Sequence, residues 1–81
     1  MATSEEIYTD IAEIITDITG TEASQLEPSS LFVGDLEIDS LSMVEIIYSC
    51  EEKFDISIPD EAANGFKKIA DLVSYIENEL D

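Results

Sequence analysis

Five isoleucines, Ile7, Ile11, Ile14, Ile15 and Ile18, recur at the spacing of a helix. β-Branched side chains lose rotamer freedom against the preceding turn, so a helix built on them is weak by itself. Such a stripe holds a helix only when it is buried against other elements. The segment is expected to run as a helix from Glu5 to Ile18 with one face needing partners. Ser4 stands as its N-cap, Glu5 and Glu6 place negative charge in the first turn, and Gly20 is a natural stop.

Further helical patterns supply the partners. Asp39 is the N-cap candidate of a second helix over Ser40 to Lys53, with Ser40 at its first position. Phe54, Ile56, Ile58 and Pro59 close that segment, and a short third helix begins at Pro59 or Asp60 and ends at Asn64-Gly65. A fourth runs from Ile69 to Glu79 with Ile69, Leu72, Val73, Ile76 and Leu80 on one face, although Lys68 stands where a capping side chain belongs. Thr21 to Asp39 is a long loop punctuated by Pro28, Ser29, Ser30 and Gly34, with a short turn near Ser30. Leu26, Leu31, Phe32 and Leu36 are its expected plugs into the core. The fold class is all-α: a small four-helix bundle, three main helices plus one short helix, with a long loop between the first two. Its 81 residues suit a single domain over 1–81 with one core.

Charge narrows the function. Twenty acids stand against three lysines, with no arginine or histidine, for a net charge of -17. That field repels nucleic acid and anionic membranes and attracts proteins with basic patches. It also opposes the folded state by self-repulsion. No window approaches the roughly 20 apolar residues of a membrane span. Met1 to Glu6 has no basic region followed by an apolar run. The single cysteine, Cys50, excludes an internal disulfide, fits a reducing compartment and lies mid-way along a core face as an inert thiol. A cytoplasmic monomer is expected.

At about 100° per residue, Met43, Ile46, Ile47, Cys50 and Phe54 fall on one side of the second helix. Leu41, Val44 and Tyr48 fall on the other, flanked by Glu45, Glu51 and Glu52. A strip buried under the loop or another helix would not be bordered by three acids. An apolar centre with a charged rim instead has the make-up of a docking surface.

Ser40 heads this helix, and the catalytic roles of serine fail one by one. A Ser-His-Asp triad needs a histidine, and no Ser-x-x-Lys pattern surrounds Ser40. Asp35, Glu37 and Asp39 alternate like the start of a calcium loop, but Ser40 and Ile46 stand where the glycine and glutamate belong. No cysteine–histidine set exists for zinc and no glycine-rich phosphate loop is present. No catalytic or metal-binding residue is assigned, and the chain is not expected to be an enzyme. What remains is a hydroxyl at the positive end of a helix, where an anion is favoured by about 0.3–1 kcal/mol. Ordinary helix-start chemistry explains that position equally well.

A longer pattern separates the two. Asp35-Leu36, Asp39-Ser40-Leu41, Val44-Glu45, Glu51-Glu52, Phe54-Asp55 and Ile58-Pro59-Asp60-Glu61 together resemble the bacterial acyl carrier proteins, over nearly the whole chain. Ile38 to Glu45 is most similar to actinobacterial carriers, including those of meromycolate extension. The resemblance implies that Ser40 receives phosphopantetheine from coenzyme A, through a separate magnesium-dependent phosphopantetheinyl transferase. The arm's thiol then carries acyl groups as thioesters in type II fatty acid or polyketide synthesis. It also implies that Asp35, Asp39 and Leu41 flank the attachment motif, and that Leu41, Val44, Glu45, Tyr48, Glu51 and Glu52 face acyl-chain synthesis enzymes with basic docking patches. Ser42 stands where many members carry an acid, and Tyr48 is bulkier than usual. A carried chain is expected to lodge between helices, lined by Ile11, Ile15, Ile46, Ile47, Ile69 and Val73. The rivals are a peptidyl or aminoacyl carrier, which more often has glycines before the serine, and an unmodified acidic interaction module.

Overall fold

The computed structural model describes residues 3–80; Met1, Ala2 and Asp81, the ends of the expected domain, lie outside the described residues. Helix α1 spans Ser4–Thr19, α2 Ser40–Phe54, α3 Asp60–Ala63 and α4 Ile69–Leu80. A 3₁₀ turn, Ala23–Gln25, interrupts the long connection between α1 and α2. Among the described residues there is no strand, so the helical periodicity led to the correct class.

The isoleucine stripe organises the bundle. α1 packs against both α2 and α4. Ile7, Ile11 and Ile15 are fully buried in one cluster with Ile46 and Cys50 of α2 and Ile69, Leu72 and Ile76 of α4. Ile14 and Ile18 are half-buried at its edge. Burying one such side chain contributes about 1.5–3 kcal/mol. Isoleucine's helix-propensity deficit is below about 0.7 kcal/mol, so burial decides.

The caps differ from expectation at both ends of the bundle. Thr3, not Ser4, caps α1: the Glu6 amide donates to the Thr3 hydroxyl and the Thr3 amide donates to the Glu6 carboxylate, each at 3.2 Å. A capping box needs an acid or amide three residues after the cap, which Thr3 has in Glu6 and Ser4 lacks in Ile7. Ser4 Oγ instead donates to Glu77 Oε2 at 2.7 Å, linking α1 to α4. Gly20 ends α1 as expected, at φ 82°, with its amide donating to the Thr16 carbonyl. At the start of α4, the amides of Ile69 and Ala70 donate to the carbonyls of Ser30 and Pro28. The loop therefore serves as the cap that Lys68 does not provide. Asp71 completes it by accepting from the amides of Lys67 and Lys68 at 3.0 and 3.1 Å, which holds its carboxyl below the usual range.

The same hydrogen bonds order the loop. The Phe32 amide donates to the Lys67 carbonyl, forming with Ile69 an isolated antiparallel bridge between Leu31 and Lys68. Extended backbone sends adjacent side chains to opposite sides. Phe32 is therefore 1% exposed while Leu31 is 41% exposed, which corrects the expectation that both are plugs. Ile38, not foreseen, is buried beside Leu26 and Phe32, and Leu36 is half-buried. Leu80 is also exposed: α1 begins beside Glu77, so the last residues of α4 run past their partner.

Candidate functional site

Ser40 is placed from both sides of the chain. Upstream, the amides of Leu36, Glu37 and Ile38 donate to the carbonyls of Leu31, Val33 and Phe32, winding the loop toward the head of α2. Asp35 tightens this turn, its Oδ2 accepting from the Leu31 amide at 2.8 Å. Glu37 follows in the left-handed region at φ 52°, which reverses the chain before the helix. Downstream, Asp39 is the N-cap: its Oδ1 accepts from the Ser42 amide at 2.8 Å. That bond, with help from the Ser42 hydroxyl, holds the Asp39 carboxyl below its usual value.

The Ser40 hydroxyl lies at the first position of α2, is exposed, and makes no hydrogen bond among the described residues. The acid cluster noted around it is mostly engaged with the backbone. Two of the three carboxylates, Asp35 and Asp39, each accept a backbone amide, leaving Glu37 uncommitted.

Leu41, Val44 and Tyr48 stand outward, 61–70% exposed, so the second strip of α2 is free of the core. Glu45 and Glu52 are exposed beside it. The neighbouring Glu52 carboxylate raises the pKa of the Tyr48 phenol above the ordinary value. Glu51 differs from the other rim acids: it is half-buried, and its Oε2 accepts from the Ile58 amide at 2.9 Å.

A cleft of about 650 Å³ opens beside this strip. One wall is α2, through Ser40, Met43, Val44, Ile47, Tyr48 and Glu51; the other comes from Ile58, α3 and Phe66, with Phe32, Val33 and Ile38 from the loop. From Ser40 to Glu51 that wall is about 16 Å long at helical rise. Ser40, Val44, Tyr48 and Glu51 thus belong at once to the predicted site and to the cleft, whereas Leu41, Glu45 and Glu52 lie outside its lining. Of the six residues expected to line a lodged chain, Ile47 alone does so. Ile11, Ile15, Ile46 and Ile69 are sealed in the core at 0% exposure, and Val73 faces a different groove between α1 and α4. Val33, 71% exposed at the cleft, carried no sequence signal because it lies in a non-periodic loop.

Cys50 is buried as expected, and desolvation, with a contribution from the Glu51 charge, pushes its thiol up to about 12. Among the described residues no acid, cysteine or histidine cluster is arranged to hold a metal ion, and no helix is long and apolar enough to cross a membrane.

A family profile described as the phosphopantetheine attachment site matches residues 9–76. The meromycolate extension acyl carrier protein of Mycolicibacterium smegmatis is 50% identical over 76 residues, which cover 94% of this chain and 77% of that one. Its counterpart of the same name in Mycobacterium tuberculosis is 51% identical, with 93% of this chain aligned to 65% of that relative's length. The acyl carrier protein of Kocuria rhizophila is 49% identical over 80 residues, 96% of each chain.

Proposed function

We propose, for a chain that belongs to the acyl carrier proteins with their phosphopantetheine attachment site, that Ser40 bears the arm and that the α2–α3 cleft shelters its cargo. The observation that carries this reading is the exposed Ser40 hydroxyl, unengaged at the open end of α2 and on the rim of the cleft. The arm fits there. The first-turn amides and the positive helix end suit the anionic linkage. Asp35 and Asp39 accept backbone amides, and their charge directs the anionic linkage outward. When bound, the arm supplies a terminal thiol that carries acyl groups as thioesters.

The remaining work belongs to the chain's own side chains. Asp39 fixes the first turn and so the direction of the Ser40 Cα–Cβ bond. Leu41, Val44 and Tyr48 offer apolar contact to a partner enzyme, and Glu45 and Glu52 attract its cations. Met43, Ile47, Ile58, Ala63 and Phe66 supply the apolar lining that excludes water from a lodged chain. Fatty acid synthesis in the cytoplasm is the proposed setting, with a phosphopantetheinyl transferase as the first partner and the monomer as the working form. The acyl carriers among the relatives support acyl rather than peptidyl cargo.

The test is incubation with coenzyme A, magnesium and a broadly tolerant phosphopantetheinyl transferase, followed by intact mass. One added phosphopantetheine on the native chain and none on Ser40→Ala is the expected result. An unchanged native mass, or an arm that persists in Ser40→Ala, defeats the proposal.

A further inference from the structure

A second groove, walled by α1 and α4, lies apart from the Ser40 face. We infer that it seats a basic amphipathic helix of a partner protein, so that the chain is held on one side while α2 stays open on another. This site stands or falls independently of the carrier reading.

The groove has a volume of about 510 Å³. That is within the range of about 300–1,000 Å³ found for clefts that hold ligands. Its floor is Tyr8 of α1, Ala70 and Val73 of α4, and Pro28 of the loop. Val73 is buried, and Tyr8 and Ala70 are half-buried. Both ends are fixed by hydrogen bonds. Ser4 Oγ donates to Glu77 Oε2 at 2.7 Å at one end, and the Ala70 amide donates to the Pro28 carbonyl at 2.8 Å at the other. The groove is therefore formed before anything enters it. It shares no lining residue with the α2–α3 cleft, and no residue of α2 lines it.

Charge selects the occupant. The polar side chains of the lining are the hydroxyls of Ser4, Tyr8, Thr9 and Ser74 and the carboxylates of Glu5 and Glu77; none of the three lysines is among them. Burial, and after it the charge of Glu27, raises the Tyr8 pKa, which places a third acid near the floor. The two helix ends differ. Glu5 and Glu6 already meet the positive end of α1, whereas the last turn of α4 has no basic residue beside its negative end. An anion is repelled here, and so is a second copy of a chain with net charge -17. A partner with cations around an apolar face is complementary.

Shape selects a helix. From Ala70 to Glu77 the α4 wall runs about 10 Å, or two helical turns. That length takes apolar anchors at i and i+4 of a helix laid along the furrow between α1 and α4. Lysines or arginines flanking the anchors meet Glu5 and Glu77 at one end and Glu27 at the other. Ser40, Leu41, Val44 and Tyr48 are untouched by such a partner, so an assembly can tether the chain while α2 serves a different protein.

The experiment titrates the full chain, with Ser40 unmodified, and follows backbone amides by two-dimensional NMR. The probe is a peptide of leucine, alanine and lysine, about four helical turns long, with leucines three and four apart. A scrambled peptide of the same composition measures bare charge attraction. The amides of Tyr8, Ala70 and Ser74 are expected to shift with the leucine-striped peptide and to saturate at about tenfold lower concentration than with the scrambled one. Thr9→Arg, at an exposed rim position, puts a cation in the mouth of the groove and weakens this saturation by about tenfold or more. Any response of the Val44 and Tyr48 amides stays as in the native chain. Glu5→Gln combined with Glu77→Gln, which keeps size and removes charge, weakens groove binding as well and carries the test if Thr9→Arg fails to fold. Groove amides that stay unmoved, answer both peptides alike, or bind as tightly in the variants overturn the proposal. Shifts of the same amides on concentrating the protein alone would identify a second copy as the occupant and overturn it too. Ser40 takes no part in the titration, so failure of the carrier proposal leaves this result readable.

Discussion

Phe32→Ala and Leu31→Ala place the same kind of deletion at adjacent positions that face opposite ways. Phe32 is 1% exposed, lines the cleft, and its carbonyl accepts from the Ile38 amide. Truncating a buried phenylalanine costs about 3–5 kcal/mol, transfer and cavity together. A domain of 81 residues has about 4–12 kcal/mol in total. Leu31, 41% exposed, has already left much of its surface in water, so its truncation costs about 1 kcal/mol. At about 4–8 °C per kcal/mol for a domain of this size, Phe32→Ala lowers Tm by at least about 12 °C and Leu31→Ala by less than about 8 °C. Thermal unfolding followed by far-ultraviolet circular dichroism, in one buffer at fixed ionic strength, measures both. Equal losses would mean that the bridge to Lys68 does not orient the loop as described, and would remove the account of how the loop shapes the cleft.

Three other outcomes are expected. Asp71 is held below its usual value by the amides of Lys67 and Lys68, so its charge contributes stability above the unfolded-state pKa that is lost as pH falls through the folded one. The stability gap between the native chain and Asp71→Asn is about 0.3–1 kcal/mol at neutral pH and closes in acid; denaturant melts across pH report it, and a gap that persists when the carboxyl is protonated contradicts the capping role. Cys50, buried with its thiol pushed up to about 12, resists a disulfide reagent in the folded protein and reacts readily in denaturant. With a net charge of -17, the Tm rises on going from low to moderate salt, and a flat response counts against self-repulsion as a significant cost.

Much of the site was legible in the chain because it is written on one helix. The head of α2, the Asp39 cap, the position of Ser40 and the outward strip of Leu41, Val44 and Tyr48 all follow from a period of 3.6. The loop was less legible. Leu31 and Phe32 are equivalent as apolar letters, and only pairing with Lys67 to Ile69 decides which one turns inward. The cap of α4 was missed for the same reason: two of its acceptors, Pro28 and Ser30, lie about forty residues away in the sequence. The lining of the cleft is not legible in the sequence, because Ile11, Ile15, Ile46 and Ile69 carry the same apolar signal as Ile47 but are sealed by one another in the core.

The sequence alone determined an acidic helical chain whose helices need mutual burial, with an unencumbered serine opening one of them. Periodicity, capping residues and charge act within a turn or two, so they are visible in a string of letters. Tertiary structure decided which loop residues enter the core, where the cleft opens, and that Glu51 reaches from the docking rim to the Ile58 amide. Those outcomes depend on which faces the neighbouring elements cover, and no local pattern contains that information.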